Sequence, residues 1–376
     1  MIPFNRAFTS GKESQYIDEV LNSNSFSGGG RYTQQCEDWL KDYTASTKVL
    51  LTSSCTHALE MCALLIDIKP GDEVIMASFN FVSAANAFVL RGATIKFVDV
   101  DPGSMNLDAN KLETAINAQT KAILVMHYGG VACDMIKIMR IAETTGIWVI
   151  EDAAHCIGAY AAGRHLGTIG HLGALSFHST KNIHCGEGGA LLINDPRFSD
   201  AAEIIREKGT NRNAFLRGEV EKYTWEKLGS SYLMSEITAA FLLAQLEEVK
   251  KVNEKRRYLW IQYYQLLTPL ANQIELPSRA PEHEGNAHLF FIKLKTQQIR
   301  DELIANLSAD FGIQCYFHYQ PLHSTGIGQQ SGAFVGEDRY TSGGSRRLLR
   351  LPLYYDMETS QVEQVVDAIQ KRLENL

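Results

Sequence analysis

Three short stretches carry residues whose types and positions could do chemistry: Lys181 in SFHSTKNIHCGEGG, Asp152 in IWVIEDAAH, and Ser53 to Thr56 in LLTSSCTHALEM. Each lies where an apolar, strand-like run ends. A lysine becomes a nucleophile when its amine is neutral, a state favoured by burial or by a neighbouring cation. A carboxylate emerging from buried strand must meet a cation or a helix N-terminus, because burying it unpaired is costly. The serines, Cys55 and Thr56 lead into a helix whose first turn has free N–H groups suited to a phosphate. Taken singly, each has a plain structural explanation: a solvated lysine, a carboxylate resting on a helix end, a Ser/Thr helix cap.

The surrounding elements give the three stretches a common address. The runs KVLLTSS, DEVIMASFNF, TIKFVDVD, KAILVMHYGG, IWVIEDAAH, GALSFH and ALLIND read as short strands. Helical patterns such as THALEMCALLIDI, ANAFVLRG and MIKIMRIAETTG alternate with them. This order predicts an α/β fold with a mostly parallel, doubly wound sheet covered by helices on both faces. Ligands bind such sheets at the carboxyl ends of the strands, which is where Lys181 falls. Beyond this region, LGSSYLMSEITAAFLLAQLEEVKKVNEKRRYLWIQYYQLL reads as one long amphipathic helix bridging to a smaller α+β unit. That unit contains AHLFFIKLK, RDELIANLSADFG, IQCYFHY and the terminal QVEQVVDAIQKRLENL. The expected division is 1–235 for the large domain and 236–376 for the bridging helix and small domain, with SRAPEHEGN as an ordinary loop.

Whole-chain properties narrow the function classes. A net charge of −7 over 376 residues provides no basic field for nucleic acid or anionic lipid. No apolar run approaches the length of a membrane span, and MIPFNRAFTSGKESQ lacks a signal-peptide core, so a cytoplasmic location is expected. The seven cysteines form no CxxC pair or regular framework and read as reduced thiols. His178, His184 and Cys185 lack metal-ligand spacing, as do His318 and His323, and no metal is expected.

In combination, a phosphate cradle, a carboxylate and a lysine at the ends of neighbouring strands are the parts that pyridoxal phosphate requires. The cradle anchors the phosphate, the carboxylate keeps the pyridine nitrogen protonated, and the lysine bonds to the aldehyde carbon. The chain resembles, over nearly its full length, the DegT/DnrJ/EryC1 group of sugar-nucleotide aminotransferases, which belong to the fold type I pyridoxal-phosphate enzymes. The motifs carrying this resemblance are SSCTHALEM, PGDEVIMASFNFVSAANAFVLRGA, TKAILVMHYGG, VIEDAAHCIGA, LSFHSTKNIHCGEGGALL and FHYQPLH. Within the group, EIIREKGTNR, KYTWEKLGSSYLMSEITAA and EDRYTSGGSRRLLRLPLYY most resemble the branch that aminates dTDP-4-keto-6-deoxyglucose at C4 with L-glutamate.

The resemblance implies roles for individual residues. Lys181 bonds the cofactor and moves the proton, Asp152 faces the pyridine nitrogen, and Phe81 stacks on the ring. Ser176, Thr56 and the amide of His57 hold the phosphate. His155 stands where many relatives use Gln to donate to the cofactor's phenolic oxygen. Ser231 replaces an Asn that in many relatives reaches the partner subunit's cofactor phosphate. His323 is placed near the sugar nucleotide, and Arg212 at its diphosphate. The resemblance also implies a homodimer with shared active sites and a ping-pong reaction. Three alternatives remain open: amination at C3 or with opposite stereochemistry; a sugar 3-dehydratase, which typically has histidine in place of Lys181; and a non-catalytic sugar-nucleotide sensor, which would not need the lysine, carboxylate and cradle together.

Overall fold

The computed structural model describes residues 1–278 and 284–374, so most of the loop SRAPEHEGN lies outside the described residues. The strands in chain order are β1 (Lys48–Thr52), β2 (Glu73–Ala77), β3 (Thr94–Val98), β4 (Thr120–Met126) and β5 (Trp148–Asp152). A two-residue pair, β6 (Tyr160–Ala161) and β7 (Arg164–His165), precedes β8 (Leu172–Ser176) and β9 (Gly189–Ile193). The chain then forms β10 (Phe290–Lys293), β11 (Gly332–Phe334) and β12 (Leu348–Leu351). Eight of these make one sheet in the order β1-β9-β8-β5-β4-β2-β3-β11. Only β9 runs against its neighbours, β1 and β8.

The strand sequences account for the layering. All five residues of LGALS and of GALLI are buried, as a sheet covered on both faces requires. Successive residues turn to opposite faces: Val74 and Met76 join the core that contains Leu59 and Phe88, whereas Ile75 and Ala77 join the core that contains Ile138 and Leu112. The first core is packed by α3 (Cys55–Leu65) and α4 (Val82–Val89), which follow α1 (Glu13–Ser23) and α2 (Arg31–Thr44) in the chain. This is the doubly wound α/β sheet expected from the alternation of short strands and helices.

The bridging helix departs from expectation. Instead of one long helix there are two, Glu236–Leu246 and Val249–Leu267, separated at Glu247 and Glu248. The first is apolar on nearly all sides and packs on α1 and α2. At the break, the Glu247 carboxylate accepts from Lys12 Nζ at 2.7 Å and from the Tyr16 hydroxyl at 2.9 Å, holding the helix end to α1. The second helix packs on the helix Thr359–Leu373 instead. No glycine or proline marks the change, so it is a tertiary override of a continuous helical pattern.

A second core forms around Leu259, Tyr263, Phe290, Leu303, Leu349 and Ile369, with Ile2 contributed from the other end of the chain. Its antiparallel pair, β10 and β12, is backed by the helices Gln297–Phe311 and Thr359–Leu373. β11 returns to the large sheet and pairs in parallel with β3. Asp99, just past β3, accepts from the Tyr340 and Thr341 amides and fastens the next C-terminal segment to the same edge. The C-terminal part of the chain is thereby closed over the carboxyl ends of the large sheet's strands. Among the described residues no helix is long and apolar enough to cross a membrane.

Candidate active site

The carboxyl ends of β1, β2, β4, β5 and β8 share one edge of the sheet, and because β9 runs the other way its first residue, Gly189, lies at that edge too. A cavity of about 590 Å³ opens there, lined by Thr56, Phe81, Asp152, His155, Ser176 and Lys181 among others. Six of the residues singled out from sequence are therefore brought together.

The cradle is built from β1 and α3. Ser54 caps the helix, its hydroxyl accepting from the His57 amide at 3.1 Å. The amides of Cys55 and Thr56 have no acceptor among the described residues, while the Thr56 hydroxyl donates to Ser83 Oγ at 2.9 Å. The helix end sits directly against β9: a Cβ on Gly189 would lie 2.4 Å from the Cys55 nitrogen, so any larger residue would push the cradle away. This close approach explains the last glycine of GEGG.

Asp152 closes β5 and is only 5% exposed. It accepts from the Ala154 amide at 3.1 Å and has no ion-pair partner among the described residues. Burial pushes its pKa up, against the opposing pull of the Ala154 amide and then of Lys181. Lys181 follows β8 in a tight loop, its amide donating to the His178 carbonyl at 2.9 Å. Lys181 is half-buried as a residue, its ammonium makes no hydrogen bond or ion pair among the described residues, and burial lowers its pKa. Phe81, the residue just before α4, lines the cavity with 52% of its surface exposed, an aromatic face on which a heterocycle could stack.

The tautomer of His155 follows from its contacts. Nδ1 accepts from the Gly129 amide at 3.2 Å, which places the proton on Nε2. Burial, then Lys181 and His288, hold the imidazole neutral by lowering its pKa well below the ordinary range. The ring stacks on His288 with centroids 4.2 Å apart.

The other expected residues do not line this cavity. The His57 ring is bonded to Ser53 Oγ at 2.7 Å, and its amide is taken by Ser54. Ser231 is exposed and forms a bridge with Glu207. Arg212 lies in a separate surface cleft, 3.6 Å from the Glu207 carboxylate. His323 has both ring nitrogens occupied, Nδ1 by Ser78 Oγ at 2.7 Å and Nε2 by Asp338 at 3.3 Å. The sequence reading missed Arg256, His288, Tyr319 and Arg350, all of which line the cavity from the C-terminal half; His318, considered there only as a metal ligand, lines it too. The one local signal was Arg350, a cation inside the apolar run LLRLPL.

Unclaimed N–H groups, a desolvated carboxylate lacking a cation, a lysine with a lowered pKa and an exposed aromatic face fit pyridoxal phosphate, and the sheet is that of the fold type I enzymes. Residues 9–370 match the DegT/DnrJ/EryC1/StrS aminotransferase family, and the chain belongs to that family. The structure is similar to the aminotransferase TlmJ from Streptoalloteichus hindustanus at 26% identity, with a TM-score of 0.90 and coverage of 100% of this chain and 99% of that one. It is similar to a DegT/DnrJ/EryC1/StrS aminotransferase from Brucella abortus at 28% identity, TM-score 0.88, covering 96% of this chain and 95% of that one. A third likeness is to NtdA from Bacillus subtilis, solved with bound cofactor PMP, at 28% identity, TM-score 0.87, covering 97% and 82%.

Proposed function

We propose that this aminotransferase uses pyridoxal phosphate to move the amino group of L-glutamate to C4 of dTDP-4-keto-6-deoxyglucose. The product is dTDP-4-amino-4,6-dideoxygalactose, a precursor for cell-surface polysaccharide. The observation that carries the reading is the convergence of Lys181, Asp152 and the amino end of α3 on one cavity. When bound, the cofactor supplies an aldehyde for amino transfer and a ring that takes up electrons as a proton leaves the substrate carbon.

The chain's own residues take the remaining roles. The Cys55 and Thr56 amides, with the Ser176 hydroxyl, hold the phosphate. Asp152 keeps the proton on the ring nitrogen, and its own burial makes that cation its missing partner. Nε2 of His155 donates to the phenolic oxygen, and Phe81 covers one ring face. Lys181, whose neutral form desolvation favours, would bond to the cofactor's aldehyde carbon with loss of water; once the donor's amine displaces it, the freed lysine amine would carry the proton at the substrate carbon. The choice of C4 and of a dTDP sugar is supported by the resemblance of EIIREKGTNR and EDRYTSGGSRRLLRLPLYY to the branch with that activity.

Incubation with L-glutamate and dTDP-4-keto-6-deoxyglucose is expected to yield one amino sugar whose proton couplings at C4 are those of the galacto configuration. Couplings of the gluco epimer, or reaction only with a 3-keto sugar, would refute the product assignment while leaving aminotransfer intact.

We also propose a homodimer. The segment 215–228 exposes Phe215, Leu216, Tyr223, Trp225 and Leu228 within fourteen residues, with Trp225 75% exposed, an apolar cluster suited to a partner's surface. Light scattering at micromolar concentration is expected to return twice the chain mass of 41.9 kDa. A monomer would rule out shared active sites.

A further inference from the structure

Asn182, the residue after Lys181, is buried and joins three segments of the chain. Its Nδ2 donates to the Asn286 carbonyl at 3.0 Å and to Oδ1 of Asn253, on the helix Val249–Leu267, at 2.9 Å, while its Oδ1 lies 3.0 Å from His288 Nδ1. Asn253 and Asn286 are buried too, and each turns its own Nδ2 to backbone carbonyls: Asn253 to Ile157 at 2.9 Å, Asn286 to His155 at 2.7 Å and to Ile157 at 3.0 Å. A carbonyl can only accept, so these contacts fix which end of each amide is nitrogen and which is oxygen. Oδ1 of Asn182 is therefore an acceptor, and His288 Nδ1 carries the proton that it accepts. Burial, then Lys181 and Arg256, keep the His288 ring neutral, which leaves its Nε2 with a lone pair.

The histidines that line the cavity therefore offer it different groups. His155 carries its proton on Nε2, because its Nδ1 accepts from the Gly129 amide. The Tyr128 hydroxyl keeps its proton through burial and has His318 Nδ1, at 3.0 Å, as its partner. It donates there, which puts the His318 proton on Nε2 as well. Of the three, His288 alone has a bare Nε2, and that atom has no hydrogen-bond partner among the described residues. Its ring stacks on His155 with centroids 4.2 Å apart, and it is near enough to Lys181 for the ammonium to oppose its protonation. A lone pair in that place accepts from a hydroxyl and repels a carboxylate.

We infer that His288, held in this tautomer by Asn182, accepts a hydrogen bond from the sugar hydroxyl next to the carbonyl that is aminated. This rests on the aminotransferase reading and adds to it a contact that serves one substrate and not the other. The two substrates bring different groups to the reacting carbon. L-glutamate brings a carboxylate, which only accepts, and an amine that goes to the cofactor; a keto sugar brings a hydroxyl on the neighbouring carbon, which needs an acceptor once it leaves water. Stacked on the histidine that faces the cofactor's phenolic oxygen, and close to Lys181, His288 lies beside the reacting carbon rather than out along the diphosphate. With the proton on Nε2 the ring would have no lone pair to offer there. Asn182 is thus a positioning residue that acts through His288.

The test uses the full-length protein loaded with cofactor and the variant His288→Asn, which keeps an N–H for Asn182 and removes the acceptor. Nitrogen-15 NMR of histidine-labelled wild type is expected to show His288 with a protonated Nδ1 and a bare Nε2, the signals being assigned by their loss in the variant. The sugar half-reaction is read as restoration of the cofactor's absorption band in enzyme preloaded with pyridoxamine phosphate. Two sugars are compared, dTDP-4-keto-6-deoxyglucose and its 3-deoxy analogue, which lacks the hydroxyl next to the carbonyl. Wild type should favour the hydroxylated sugar by on the order of 10- to 100-fold. In His288→Asn that preference should shrink to less than about threefold, and the rate at which L-glutamate alone bleaches the band should change by less than about threefold. An Nε2–H tautomer or equal use of the two sugars in wild type, an undiminished preference in the variant, or an equal loss in both half-reactions would each overturn the assignment. The two wild-type readings decide it even where the variant fails to hold cofactor. If the unmodified enzyme is neither bleached by L-glutamate nor restored by any keto sugar, the aminotransferase reading fails instead, whichever tautomer His288 shows.

Discussion

Lys181→Ala is expected to lower steady-state aminotransfer by on the order of 10⁴-fold, because the proposed function gives one side chain the roles of both nucleophile and proton carrier. Two observations support this double use: Lys181 lines the cavity without a side-chain hydrogen bond or ion pair among the described residues, and burial favours its neutral form. Borohydride treatment of the wild-type protein followed by peptide mass analysis should place the reduced cofactor on Lys181 and on no other lysine. The variant should still retain cofactor noncovalently, since the α3 amides, Ser176 and Phe81 remain. Wild-type turnover in the variant, or a label on another lysine, would refute the role.

Asp152→Asn is expected to reduce the rate by about 10²-fold or more, since an amide cannot hold a proton on the ring nitrogen electrostatically. The same substitution should leave the cofactor-free protein at least as stable at neutral pH as the wild type. The sign follows from linkage. Burial raises the folded-state pKa of Asp152 above its unfolded value, so ionisation is penalised only in the folded state. That penalty is absent below the unfolded pKa, grows as pH rises through the folded pKa, and is fully present above it. Removing the charge relieves it, and the gain in thermal stability of the cofactor-free variant should vanish at acidic pH. Full activity, or a cofactor-free variant clearly less stable than wild type at neutral pH, would count against Asp152 as a carboxylate held ready for a cation.

The Asp152 expectation pairs lost activity with unchanged or improved stability. A buried carboxylate with no counter-ion among the described residues is unfavourable in the cofactor-free chain. Sites commonly keep such unfavourable groups because the ligand compensates for them.

The sequence by itself determined the elements whose signals are local. Buried parallel strands read as short β-branched runs, and a polar residue at the end of such a run is visible at once, so Asp152, Lys181 and the Ser54–Thr56 cap are legible with the strands that carry them, whereas Ser176 is reached only through the family resemblance. Gly189 was visible as part of a turn, but its need for close approach to the Cys55 nitrogen appeared only when β9 was paired between β1 and β8. The break at Glu247 was hidden because the pattern is helical on both sides of it; contacts from Lys12 and Tyr16, more than 230 residues earlier, help fix where the helix ends. His288 and Arg350 reach the cavity only because the second core, closed by Ile2 and the helix Thr359–Leu373, folds back over the first sheet. The same closure ties His323 to Ser78 and Asp338 outside the cavity. A side chain at a strand end is placed by its own strand, whereas one contributed across a domain contact is placed by packing between distant segments, which local pattern and spacing do not encode.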